Sequence, residues 1–248
     1  MEVQVAVAKV AKYATSESGD TVEMIERPHG GLSFVMVDGQ RSGRSAKAIS
    51  NLVARKAISL LAEGVRDGAA ARAAHDYLYT YRSGKVLATL NILSIDMVSR
   101  TMVLSHNSHC PILIVTDEGT RVLDEPSRPV GVHRGTKPIV VELSLQAPTT
   151  VVLFTDGLLD AGQRYGGSLD IPAAVQTLCD DQGCAAQSIA DQLLVRALQL
   201  DRGRAGDDIT ILVLTVHTRC RDEELDSFSN TDVRRMSVTF PLPPPTGR

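Results

Sequence analysis

The period of the apolar residues switches between two and about 3.6 along the chain, and the order of the switches restricts the fold. Alternation typical of strands runs over residues 2–13 and 21–27 and through the more apolar "LSFVMVD" that ends at Asp38. From Gly43 to Glu63, Ala46, Ile49, Leu52, Val53, Ala57, Leu60 and Leu61 share one helical face, and a second helix is expected over 67–82. Strands are expected again at 86–95, 101–105, 111–116, 138–145 and 150–155. Helices follow at 170–180 and 185–201, then a last strand in "DITILVLTV". Strands grouped in runs predict antiparallel sheets with helices laid outside, an α+β fold and not an alternating parallel one. Residues 124–138 hold three prolines and two glycines and read as a loop. Neither G-x-G-x-x-G nor G-x-x-x-x-G-K-[ST] occurs, which argues against a nucleotide-binding loop.

With 248 residues, 43% of them hydrophobic, the chain has material for one core. The periodic pattern ends at His217, so residues 1–217 are expected to form one folded domain and 218–248 a tail. The tail starts with the charged "TRCRDEELDSFSNTD"; Val233, Met236, Val238, Phe240 and Leu242 then alternate as an added edge strand would. A net charge of −3 and the absence of Trp give no footprint for nucleic acid. No signal peptide and no apolar run of about 18 residues is present, so no membrane association and a cytoplasmic location are expected. Cys110, Cys179, Cys184 and Cys220 lack a pairing cadence and a C-x-x-C, and are expected to be reduced thiols.

Aspartates mark the strand ends. Asp20 in "ESGD" precedes a strand, Asp38 ends "VMVDG", Asp156 ends "VVLFTDG", and Asp207 and Asp208 begin the last strand in "AGDDITILVL". Each alone reads as a turn former or cap. In antiparallel sheets one strand's start lies beside its neighbour's end, so these carboxylates are expected to converge at one edge. Converged carboxylates without Lys or Arg between them repel, and a hard divalent cation relieves that repulsion. Oxygen-only ligands suit Mg²⁺ or Mn²⁺, and two such ions can clamp a phosphate.

"DGQRSG", "HNSHCPILIV", "SRPVGV", "LFTDGLLDAG" and "GDDITILVL" occur in the order found in metal-dependent PPM-type (protein phosphatase 2C-like) serine/threonine phosphatases. The resemblance is to the bacterial SpoIIE, RsbU and RsbX branch. The Asp-Gly start of the loop and the lack of a preceding sensor domain make it most similar to stand-alone RsbX. The resemblance implies a four-layer α-β-β-α sandwich of two antiparallel sheets flanked by helices, with two Mn²⁺ or Mg²⁺ at its edge. It implies Asp38 as the bridging ligand that orients the nucleophilic water, with Gly39 binding through its carbonyl. Asp20, Asp156 and Asp207 match further metal ligands, and Asp208 falls where the family varies, as a ligand or a cap. The implied reaction is hydrolysis of phosphoserine or phosphothreonine on a protein partner, a STAS-domain regulator of sigma-factor or stress control, by a metal-activated water. The rival reading is a pseudophosphatase that binds a phosphoprotein without turning it over.

The family's loop reads Asp-Gly-x-Gly-x-Gly, but Arg41 stands at the middle glycine here. A glycine there can take positive φ, where an arginine is strained, so the loop is open to a different path. The functional alternative is that Arg41 binds the substrate phosphate through its guanidinium fork. His106, His109 and Cys110 invite a soft-metal reading, against which His109 is expected to be a hydrogen-bonded packing residue. Thr89 is expected to be structural.

Overall fold

The computed structural model describes residues 1–182, 185–218, 237 and 239. The chain divides into two units, Met1–Thr218 and Arg219–Arg248, and the fold belongs to the first. Its strands are β1 (Glu2–Val10), β2 (Thr21–Glu26), β3 (Leu32–Gly39), β4 (Ala88–Asp96), β5 (Thr101–Asn107), β6 (Ile112–Thr116), β7 (Gly119–Leu123), β8 (Ile139–Ser144), β9 (Thr149–Phe154) and β10 (Ile209–His217). Its helices are α1 (Gly43–Ala62), α2 (Asp67–Arg82), the single-turn α3 (Asp156–Leu159), α4 (Ile171–Gln182) and α5 (Ala186–Leu200).

Two five-stranded sheets form, ordered β1-β10-β9-β6-β7 and β2-β3-β4-β5-β8. All their pairings are antiparallel. Alternation assigns each strand's two faces. Along β10, Ile209, Ile211 and Val213 pack with Ile189, Ala190 and Leu193 of α5. Leu212, Leu214 and Val216 pack instead with Phe34, Met36, Leu93 and Leu104 of the other sheet. Val35, Val37, Leu90 and Ile92 turn outward onto Ile49, Val53, Leu61, Ala71 and Leu78 of α1 and α2. Helices, sheet, sheet and helices therefore stack as the expected four-layer α-β-β-α sandwich. Both faces of β4 and β10 are buried, which explains why they read as near-continuous apolar runs.

Alanines at positions 46, 54 and 57 let α1 lie close on β3, while Ile49, Val53 and Leu61 supply apolar bulk. Truncating a fully buried side chain such as Leu61 to alanine would remove about 2–5 kcal/mol of stability. A buried polar clamp fastens α2: Asp67 takes the Arg27 guanidinium at 2.9 Å and the Ser94 hydroxyl, which also bonds Ser33.

Two elements were not legible. β7 is half-exposed at the end of its sheet, so no apolar alternation marks it. α3 is too short for a helical period to develop. The expected edge strand at 233–242 lies outside the described residues apart from Ser237 and Thr239.

Candidate metal centre

β3 and β9 run toward the edge of the sandwich at which β10 begins, and the register carries their terminal aspartates together. Asp38 stands opposite Thr89 near the end of β3. Asp156 follows the last residues of β9 and opens α3. Asp207 lies just before β10. Asp20, at the start of β2, is fully buried.

The electrostatics record the convergence. Burial, then Asp20, Asp156 and Asp207, push the Asp38 carboxyl up to about 9. Asp20 is raised to about 6 by burial, against the pull of two hydroxyl bonds and Lys9. Those bonds come from the tips of sheet neighbours: Thr210 Oγ1 donates to Asp20 Oδ2 at 2.5 Å and Thr155 Oγ1 at 3.0 Å. The other oxygen, Oδ1, is buried with no hydrogen-bond partner among the described residues. Asp156 is also raised by burial, while His109, whose Nε2 is 3.8 Å from Asp156 Oδ2, draws it down.

Asp207 and Asp208 part company. Asp207 faces out, 3.6 Å from Lys12 Nζ, and accepts the Asp208 amide at 2.9 Å. Asp208 is turned to the backbone: its Oδ1 accepts from Lys12 N and its Oδ2 from Gly19 N, both at 2.9 Å. Both oxygens of Asp208 are thus engaged by backbone amides, a tether that sets it apart from Asp207.

The neighbouring glycines answer for close backbone approach. A Cβ at Gly39 would lie 2.1 Å from the Ala46 carbonyl oxygen, and one at Gly157 2.2 Å from that of Asp208. Only glycine lets α1 and β10 press this near to Asp38 and Asp156.

Arg41 takes φ 75°, in the left-handed region that favours glycine. The arginine is held in a strained backbone with its side chain exposed. His109 is not a packing residue: its side chain is 57% exposed beside Asp156. His106 is buried, and burial lowers its pKa. Cys110 is buried and free, its thiol pushed up to about 12 by burial, so it stays protonated and inert toward soft metals. Thr89 is buried in the ladder.

Among the described residues no three His, Cys, Asp or Glu side chains close into a complete ligand cage. The acidic edge fits a hard cation that keeps much of its water shell: its donors are oxygens, one buried carboxylate oxygen is unpaired, and Asp38 stands among three further aspartates. Sequence reasoning missed two groups here. The hydroxyls of Thr155 and Thr210 orient Asp20, and their only signal is placement beside the strand-end aspartates. Lys9 and Lys47 also stand at this edge, contrary to the expectation of carboxylates without lysine between them. Each donates to the Asp20 carbonyl at 2.6 Å.

The family model for stage II sporulation protein E (SpoIIE) matches residues 28–217. No curated protein sequence matches the chain. A structure of the phosphatase domain and a regulatory fragment of SpoIIE from Bacillus subtilis superposes with a TM-score of 0.75 at 20% identity, covering 89% of this chain and 64% of that one. The RsbU and RsbW domains of a Mycobacterium tuberculosis protein give 0.70 at 21% identity, covering 88% and 61%. This chain thus spans less than two thirds of either. The catalytic domain of the M. tuberculosis serine/threonine phosphatase PstP, solved with two manganese ions, gives 0.64 at 17% identity, covering 87% and 99%. At these identities the likeness is one of fold.

Proposed function

The chain belongs to the SpoIIE family, and from that premise we propose that it is a divalent-metal-dependent phosphatase acting on phosphoserine or phosphothreonine of a protein. One observation carries the reading: Asp20, Asp38, Asp156 and Asp207 come together at one edge, where burial first and then the three neighbouring carboxyls push Asp38 up to about 9. Asp20, Asp38, Asp156 and Asp207 are the side chains that would hold two Mn²⁺ or Mg²⁺, with the Gly39 carbonyl beside Asp38. When bound, the cations would polarise the phosphoryl oxygens and ready a water for attack on phosphorus.

The chain's own residues do the positioning. Thr155 and Thr210 fix Asp20 through Oδ2 and leave Oδ1 open to accept from a water. Asp208 ties the Lys12–Gly19 segment to the start of β10, so Asp20 and Asp207 are set by one tether. The exposed Arg41 reaches out of the loop behind Asp38, where its guanidinium suits a substrate phosphate.

The partner we propose is a phosphorylated STAS-domain regulator met in the cytoplasm. Its support is the likeness to an RsbU domain and to a protein of the bacterial stressosome. Among the described residues no helix is long and apolar enough to cross a membrane. The Asp38-Gly39 start of the loop further favours a role like that of RsbX, and residues 1–217 as the catalytic domain with 218–248 appended.

The test is hydrolysis of p-nitrophenyl phosphate and of a phosphoserine protein with Mn²⁺, Mg²⁺ or a chelator. Turnover is expected with either metal and none with chelator. Mn²⁺ at about 100 times its Kd is expected to add about 2.7 kcal/mol of stability in a melting experiment. A chain that retains phosphoprotein but turns over neither substrate would be a pseudophosphatase. Arg41→Ala, which leaves the strained backbone as it is, is expected to raise KM for the phosphoprotein about threefold to tenfold with kcat nearly unchanged. An unchanged KM would return Arg41 to a solvated loop residue.

A further inference from the structure

Asp20 faces two ways. Its carboxylate turns inward to Thr155 and Thr210, whereas its carbonyl accepts from Lys9 Nζ and Lys47 Nζ, each at 2.6 Å. The two ammonium groups come from different elements, β1 and α1, and share one oxygen, so they stand no further apart than twice 2.6 Å. Lys47 also donates to Thr21 Oγ1 at 3.0 Å. Neither lysine has a carboxylate within ion-pair distance among the described residues. Asp20 and Asp208 act on Lys9 only through space, their own oxygens bonding the threonine hydroxyls and the amides of Lys12 and Gly19.

Two adjacent ammoniums without a carboxylate between them repel, and a single carbonyl does not neutralise them. The surroundings add to the positive field. Lys47 lies just past the first turn of α1, which carries Arg44 and no acidic residue, and Ser42 makes no side-chain cap. That end of a helix favours anions, not the cations found here. Lys9 is an exposed residue of β1, and Lys47 is a half-buried residue of α1. It also lies beside the acidic edge: a Cβ at Gly19 would meet Ala46 Cβ at 2.6 Å, and one at Gly39 would meet the Ala46 carbonyl, one residue before Lys47.

We infer that Lys9 and Lys47 form an oxyanion-binding pair that receives phosphoryl oxygens, those of the substrate or of the phosphate released from it. The inference rests on the phosphatase reading for its biological ligand, but the pair itself is a property of the chain without metal. Ammonium groups bind phosphate as point charges, so the pair supplies attraction without fixed geometry. It lies next to carboxylates that would repel a phosphate dianion. The lysines are positioning residues: they draw the anion in and hold it, and take no part in bond making.

The experiment titrates the full chain with inorganic phosphate in excess chelator, followed by ³¹P NMR, in wild type, Lys9→Met, Lys47→Met, Lys47→Gln and the two Lys→Arg variants. Wild type is expected to bind phosphate, each Met variant about tenfold more weakly, and each Arg variant within about threefold of wild type. Lys47→Gln separates charge from stapling, because its amide still donates to the Asp20 carbonyl. It is expected to melt like wild type yet lose phosphate affinity. With Mn²⁺, the Met variants should raise KM for p-nitrophenyl phosphate and weaken phosphate inhibition in parallel, with kcat changed less than about threefold. Phosphate affinity within twofold of wild type in both Met variants, or no phosphate binding by wild type in chelator, would overturn the inference. A wild type that binds phosphate through these lysines but hydrolyses no ester would uphold the pair and remove the phosphatase reading.

Discussion

Asp38→Asn is expected to abolish metal-dependent hydrolysis, by about a thousandfold or more in kcat, while making the metal-free protein more stable at neutral pH. The two effects share a cause. Asp38 is pushed up to about 9 by burial and by Asp20, Asp156 and Asp207, whereas an unfolded aspartate titrates near 3.9. Because the folded value is the higher one, the stability it contributes is complete below about 4 and is lost as pH rises toward about 9. Melting of the metal-free wild type should therefore fall across that window, and asparagine, which carries no charge, should flatten the fall. Added Mn²⁺ should raise the melting temperature of wild type and not of the variant. A variant keeping more than a few per cent of wild-type turnover in saturating Mn²⁺ would remove Asp38 from the centre.

Gly39→Ala carries the largest expected cost to the fold. The new methyl would lie 2.1 Å from a carbonyl oxygen inside α1, and backbone cannot rotate away as a side chain would. Either α1 lifts from β3 or the end of β3 shifts, and both expose apolar surface between them. A loss of about 3–5 kcal/mol is expected, roughly 6–20 °C in melting temperature for a domain of this size. Gly135→Ala is the control. That glycine has φ +68° but open space around it, so only about 1 kcal/mol of backbone strain is expected. If the two substitutions cost the same, close packing at Gly39 is not what holds α1 against the sheet.

The fold was legible because nearly every element buries a face large enough to leave a period in the sequence. The exceptions are β7, which buries little, and α3, whose single turn is too short to show a period. The site was legible in part for a different reason. Strand-end aspartates announce themselves by position and glycine neighbours, but their tasks depend on hydrogen bonds between distant segments. Asp207 and Asp208 are adjacent and identical in type; only the amides of Lys12 and Gly19 separate a candidate ligand from a tether. Lys9 and Lys47 were invisible because their common target is a backbone carbonyl, which every residue has. Lys9 further reads as the solvent-side member of an alternating strand. At Arg41 the conformational rule was sound, but the surrounding loop outweighed a single residue's strain.

The pairing of β1 with β10 sets a timetable for synthesis. Val10 meets Ile209 and Glu2 meets His217, so among the described residues the domain's first strand is outermost in its sheet and pairs with its last. On the ribosome, β1 has no sheet partner until some two hundred further residues have emerged, and Asp208 cannot tether Lys12 and Gly19 before then. The β2–β5 meander and its two helices can condense early from near neighbours, whereas the carboxylate edge closes only with the arrival of β10. A nascent chain would thus hold a folded half and an open centre, and the proposed phosphatase competence would appear in one late step rather than accumulate during translation.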